Sequence, residues 1–347
     1  MTAAEAEALA GGGPGRLELE SFSDDSGFRA LRDEWVALES RAASKNIFLT
    51  HAWQHTWWQE MGAGLQLDLL AFREAGRLVG VVPAYRELVD GRPVARFGGG
   101  LEVTDYCGFI VEPGYELEVG FQYVKHLLET PGLALDFHFL RENGVTLRSL
   151  QTALAYLDIE FHAEVEDVSP RVVVDGNWED HLATLSKKDR HELRRKRRRL
   201  DEAGSWEVRE TAPATVEADL DTFFALHARS TRAKADFLTS DVRRFFEHIT
   251  GHLLELGWLS LRTLLLDGQA VAAVLGFVYD GKLLLYNSGY DPEYNRISAG
   301  FVLMSEEIRL AIEQGLTEVD FLRGNESYKY DLGAVDLPLW RLWAEPR

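Results

Sequence analysis

Cysteine is nearly missing: Cys107 is the only one in 347 residues. A single thiol excludes an internal disulfide and any zinc site built from several cysteines, and it suits a reducing compartment. Long apolar runs are missing as well, since no stretch reaches the ~18 residues of a membrane span. The opening MTAAEAEALAGGGPG carries neither the basic start nor the apolar run of an export signal. A cytoplasmic protein is expected. Positive charge is scarce: 37 Lys and Arg face 56 Asp and Glu, a formal charge of -19. Such a surface repels phosphate backbones and anionic lipid heads, so any anion site has to be local.

The rest of the composition, 46% hydrophobic and 27% charged, is that of a globular chain with about two domains. Periodicity predicts strands near 16–21, 66–75, 78–88, 92–98, 105–111 and 135–141, with helices near 26–41, 50–61, 115–130 and 146–158. Tight turns at Glu74-Ala-Gly-Arg77 and Asp90-Gly91 join three of these strands into an antiparallel meander. The second half repeats the plan. WLSLRTLLL (258–266), QAVAAVLGFVY (269–279) and KLLLYNSGY (282–290) are joined by Asp267-Gly268 and Asp280-Gly281. Helices are expected before this meander near 214–230 and 240–256, and another after it from Ser298 to Gln314, followed by a strand at 317–323. Helix, helix, meander, helix, strand in each half suggests one α/β unit duplicated.

Between the halves one long helix is expected, with Asn177 as its cap and Gly204 as its stop. From Lys187 to Arg199 it carries nine basic and two acidic residues. That surplus has three outlets: the acidic remainder of the chain, an anionic acyl donor, or RNA.

Five runs carry a resemblance: NIFLTHAWQHTWW (46–58), TDYCGF (104–109), LSKKDRHELRRKRRRL (185–200), YNSGYDPEYNRISAGFVL (286–303) and DFLRGNESYKY (320–330). They are similar to the signature blocks of the CelD-like acetyltransferases, GNAT proteins related to the FemAB peptidyltransferases. The resemblance implies two tandem GNAT-like domains, each a mixed, mainly antiparallel sheet flanked by helices. It places a flexible start at 1–15, a degenerate domain at 16–175, the connecting helix at 176–204 and the acyltransferase domain at 205–347. It also implies acyl transfer to an amine, with acetyl-CoA or another acyl-CoA as co-substrate and no metal. The Arg229-Ser-Thr-Arg232 stretch departs from the pattern, which has an aromatic beside the first arginine.

A thioester donor needs an anion site, donors for the tetrahedral oxyanion, a base for the ammonium and an acid for the thiolate. Tyr294, Asn295, Arg296, Ser298, Ala299 and Gly300 open a helix whose free N–H groups would face an anion, or they are an ordinary helix start. Asn287, Ser288 and Gly289 interrupt an apolar strand, as a bulge beside the thioester or as a simple strand end. Asp320, mid-strand, needs a partner, nearest in sequence Arg323 or Lys329, and is a base or half of a structural ion pair. Tyr328 is expected as the acid for the thiolate or as a loop anchor, and Lys329 as a positioning cation. Substrate contacts are expected from Asp105, Tyr106, Trp53, Tyr290, Arg232 and Arg323, although tryptophans spaced like Trp53, Trp57 and Trp58 more often pack a core. His51 and His55 lack the glutamate and third ligand of a metal site. The acceptor is expected to be a small amine or amino sugar. Two alternatives stay open: an aminoacyl-tRNA dependent ligase using the basic helix, and a silent thioester-binding module.

Overall fold

The structure, a computed structural model, describes residues 17–346. The stretch at 1–15 expected to be flexible lies outside the described residues. The chain forms two compact units, residues 17–167 with 338–346, and Val168–Leu337.

In the first unit β1 (Glu18–Phe22) leads to α1 (Ser26–Arg41) and α2 (His51–Met61), then to the meander β2 (Gln66–Glu74), β3 (Arg77–Val89) and β4 (Arg92–Phe97). After it come α3 (Gly100–Val103), β5 (Ile110–Val111), α4 (Glu116–Leu128), β6 (Ala134–Arg141), α5 (Val145–Tyr156) and the first half of β7 (His162–Val173). The sheet order is β1-β2-β3-β4-β6, with β5 beside β3. In this order β4 and β6 run parallel, Val94 opposite Ala134. Alternation along β2 sends Leu69 and Ala71 to the α1 side with Trp35, and Leu70 and Phe72 to the α4 side with Val119 and Tyr123.

The second unit holds the end of β7, then α6 (Trp178–Thr184), α7 (Lys187–Ala203), β8 (Trp206–Glu210), α8 (Val216–Ser230), α9 (Arg232–Phe237) and α10 (Ser240–Glu255). The meander β9 (Leu259–Leu266), β10 (Gln269–Tyr279) and β11 (Lys282–Tyr290) precedes a 3-10 turn, Pro292–Ile297, and α11 (Ala299–Glu313). β12 (Glu318–Asp320), α12 (Ser327–Asp331) and β13 (Val335–Ala344) follow. The order is β8-β9-β10-β11-β12-β7, again with one parallel pair, β11 and β12. β13 returns to the first unit and pairs antiparallel with β6, Leu339 opposite Arg141. Both meanders and the helices flanking them follow the periodicity.

The differences from expectation are local. The strand expected at 105–111 is reduced to Ile110–Val111, because α3 and the loop after it take up the chain. The long connecting helix is two helices. Leu185 is extended, and Ser186 starts α7 afresh by accepting the Asp189 N–H at 3.2 Å. The units also differ from the boundaries 16–175 and 205–347, since both connecting helices belong to the second unit and the last strand to the first. Among the described residues no helix is long and apolar enough to cross a membrane.

Candidate functional site

The site starts from a strand that loses its neighbour. β11 and β12 are paired only over Lys282–Leu284 opposite Glu318–Asp320, so residues 285–290 of β11 run on without β12 beside them. The bulge in β11 falls at Tyr286, one residue before the Asn287-Ser288-Gly289 run: Leu275 faces Asn287 while Gly276 faces Leu285. Gly289 has a different reason to be glycine. A Cβ there would lie 2.3 Å from the His227 backbone nitrogen and 2.5 Å from the Leu226 carbonyl carbon, so α8 could not approach the strand.

Beyond the strand the chain turns through Asp291, whose carboxylate takes the Glu293 N–H at 3.1 Å and pairs with Arg229 at 2.8 Å. Ser298 then adopts a left-handed conformation (φ 56°) and begins α11 without any side-chain cap. No acidic residue sits in the first turn. The amides of Ala299, Gly300 and Phe301 therefore precede the first intrahelical bond, Val302 N to Ser298 O at 3.1 Å, and the positive end of the helix is left open. It opens on a cavity of about 250 Å³ lined by Ser288, Gly289, Tyr290, Ser298, Gly300 and Tyr328, with Asn295 and Lys196 at its margin. Lys196 stands 3.5 Å above the Phe301 ring, and burial pulls its ammonium below the usual lysine range. From sequence this lysine was one among nine cations. Its helical phase, on the stripe of Leu193 and Leu200, was the available signal.

The segment DFLRGNESYKY resolves into two parts. Asp320 is buried and accepts from Ser169 Oγ at 2.8 Å and from the Leu322 amide at 2.9 Å, so β7 and the following turn supply its partners. Leu322 (φ 55°) and Gly324 (φ 111°) are both left-handed, which curls three carbonyls towards one point. Lys329, 3% exposed, fills it, donating to the carbonyls of Leu322, Arg323 and Gly324 at 3.3, 3.2 and 2.8 Å and pairing with Glu326 at 2.9 Å. It staples the turn. Where Lys329 was expected as a substrate-positioning cation and Asp320 beside it, the structure gives Lys329 the three turn carbonyls and Asp320 the Ser169 hydroxyl and the Leu322 amide as partners. Tyr328 does, edge-on to Phe321. Burial, with the Glu326 charge, pushes its hydroxyl well above the ordinary tyrosine range, so it stays protonated.

The remaining expected contacts scatter. Asn287 turns into a tight apolar pocket with His227, Phe237 and Phe246. Arg296 is exposed on the 3-10 turn. Arg232 is exposed and pairs with Asp236 at 3.5 Å, while Arg323 is half-buried and outside the cavity lining. Tyr294 and Tyr290 do line the cavity. In the first unit Trp53 and Tyr106 are core residues and not contact surfaces: Trp53 donates to Thr104 Oγ1 at 3.0 Å, and both rings meet Phe48 edge-on. Asp105 is buried there too. On α2, His51 bonds the Phe28 carbonyl and His55 the Asp25 carboxylate, both at 2.8 Å.

Residues 187–330, from α7 into α12, match the family model described as an acetyltransferase (GNAT) domain. The fold of the whole chain is shared with solved structures. FemX is 13% identical, with 94% of this chain and 96% of that one covered at a TM-score of 0.65. A conserved protein of unknown function from Bacteroides thetaiotaomicron is 14% identical, covering 94% and 100% at 0.59. L-PGS from Bacillus licheniformis is 12% identical, covering 89% and 90% at 0.55. No curated protein matches the chain in sequence. The match to the acetyltransferase (GNAT) domain thus falls on residues 187–330 of the second unit, and the fold of the whole chain is one it shares with FemX.

Proposed function

We propose that the second unit transfers an acyl group from a CoA-type thioester to a primary amine, a small molecule or amino sugar, in the cytoplasm. The observation that supports this is the uncapped N-terminus of α11 opening on the cavity beside the unpaired edge of β11. The chain's own groups fit such a donor. The amides of Ala299 to Phe301 and the Lys196 ammonium suit a pyrophosphate, and the cleft of Ser288, Gly289 and Tyr290 suits the pantetheine arm. The Tyr328 hydroxyl, kept protonated, gives its proton to the departing thiolate.

Calorimetric titration with CoA tests the reading. Wild-type protein is expected to bind, and Lys196→Met to bind about 10-fold more weakly, as loss of one partly buried charge partner implies. Tyr328→Phe should bind CoA normally and turn over ~10²-fold more slowly. A wild-type protein that ignores CoA would refute the proposal. A second donor, aminoacyl-tRNA, is favoured by Lys187, Lys188, Arg198 and Arg199, which are exposed and form no ion pair within 4.0 Å among the described residues. Tight binding of tRNA that weakens steeply with salt would put that donor first.

A further inference from the structure

Three lysines lie around the open edge of β11, and they differ in how many of their protons are committed. Lys329 is saturated by three carbonyls and Glu326. Lys196 stands over Phe301, on the side of α11. Lys234 is on α9, a helix with no buried residue, yet its side chain turns inward and its ammonium donates to the Ser288 carbonyl. Its position is set by the chain just before it. Ser230 Oγ accepts the Tyr290 amide at 2.8 Å, and Thr231 Oγ1 accepts the Lys234 amide at 3.2 Å.

Two of the backbone donors on this stretch of strand already have side-chain partners. Ser288 N–H goes to Asn287 Oδ1 at 3.0 Å, and Tyr290 N–H to Ser230. They are therefore poorly placed to receive a developing oxyanion. An ammonium has three donors, and Lys234 directs one of them at Ser288 O. Burial draws the Lys234 ammonium below the usual lysine range while the Glu326 carboxylate opposes that, and burial with the Lys234 charge holds His227 down to about 4, so its ring stays neutral.

We propose that Lys234 is a catalytic residue of the transfer, its ammonium anchored on the Ser288 carbonyl and receiving the acyl carbonyl oxygen; this rests on the thioester reading above. When the amine nitrogen attacks the carbonyl carbon, a C–N bond forms and the C=O electron pair moves to oxygen, where Lys234 donates a hydrogen bond without giving up its proton. Collapse breaks the C–S bond. Tyr328 gives its proton to the thiolate, and the proton lost by nitrogen passes through solvent to restore the Tyr328 hydroxyl, so the step is proton-neutral overall and needs no oxidant or further reactant.

The test uses the full chain, carbonyl-labelled acetyl-CoA, and hydroxylamine as a surrogate nucleophile. Isotope-edited infrared spectra should show the bound carbonyl stretch moved to lower frequency in the wild type. In Lys234→Met the stretch should return to its position in free acetyl-CoA, CoA affinity should hold, and thiol release should fall ~10²-fold, the cost of one oxyanion donor. Should that variant fail to fold, Lys234→Cys alkylated with bromoethylamine restores an ammonium, and recovery of the shifted stretch is expected. The same stretch in wild type and variant would overturn the role of Lys234 while leaving the thioester reading intact. No binding of acetyl-CoA by the wild type would overturn both, and a mass increase from acylation of Lys234 itself would make it an acceptor instead.

Discussion

The two units share one skeleton, a meander, a helix and a strand parallel to the meander's last member, yet they treat the start of that helix in opposite ways. In the first unit α4 begins with Glu116 and Glu118, and Glu116 turns back to accept the Gly114 amide at 2.8 Å. The helix neutralises its own positive end. In the second unit α11 begins after a left-handed Ser298, with no acid in its first turn and no side-chain cap, and faces a cavity. Withholding the cap costs helix stability and leaves N–H groups available to a ligand, which is the feature the proposed donor site rests on.

The comparison is broken most directly by giving α11 the acid that α4 has. Gly300 has ordinary helical φ, and a Cβ there would come no nearer than 3.6 Å to Tyr290, so Gly300→Glu fits. A carboxylate beside the open amides should weaken CoA binding ~10²-fold or more, while thermal melting should rise slightly because an acid near a helix N-terminus stabilises it by about 0.3–1 kcal/mol. Loss of binding together with loss of stability would point to misfolding instead.

A smaller effect is expected at Lys329, buried against the turn carbonyls. Lys329→Met leaves three inward carbonyls and Glu326 without their donor, so unfolding should become easier by about 3 kcal/mol, seen in denaturant midpoints. Normal stability with lost turnover would restore the catalytic role.

The smallest effect belongs to the first unit, where charges hold strands together. Asp136 accepts from Arg96 at 2.9 Å and Arg341 at 2.7 Å, and His138 lies between Asp136 at 3.1 Å and Glu166 at 2.7 Å. Burial pulls His138 down, but hydrogen bonds to the two carboxylates outweigh it and raise the imidazole above its usual range. Burial likewise opposes Asp136, and its cationic partners still hold it low. The histidine therefore stabilises the fold below pH ~6.5 and loses that contribution as pH rises through its folded value. The aspartate contributes above pH ~4 and loses it on acidification. His138→Gln should cost about 1 kcal/mol near pH ~5, and the gap from wild type should narrow in alkaline solution. A gap that widened with pH would reverse the assignment.

What could be read from the sequence divides along physical lines. The meanders declared themselves because Asp-Gly turns fix hairpins locally: Asp90, Asp267 and Asp280 all take positive φ, near 50°. β7, β8 and β13 did not. HAEVEDVSPRVV alternates charge with apolar residues, and VDLPLWRLWA carries a proline, while β13 pairs with β6 some two hundred positions away. The helix start at Ser298–Gly300 was legible because position after a meander carries that information, whereas Tyr328 was singled out only by the family resemblance. The partners of Asp320 and Lys329 were not legible, since sequence cannot tell a carbonyl cage from a catalytic cluster. Lys196 was hidden in a charge run, and Lys234 in a short exposed helix.

The most direct test of the open helix start is an amide NMR titration of the full chain with CoA, following Ala299, Gly300 and Phe301. Those three resonances are expected to move together and saturate with the calorimetric binding curve, while Val119 and Gly120 in α4 stay fixed. CoA binding that leaves Ala299, Gly300 and Phe301 unmoved would contradict the assignment of the anion site.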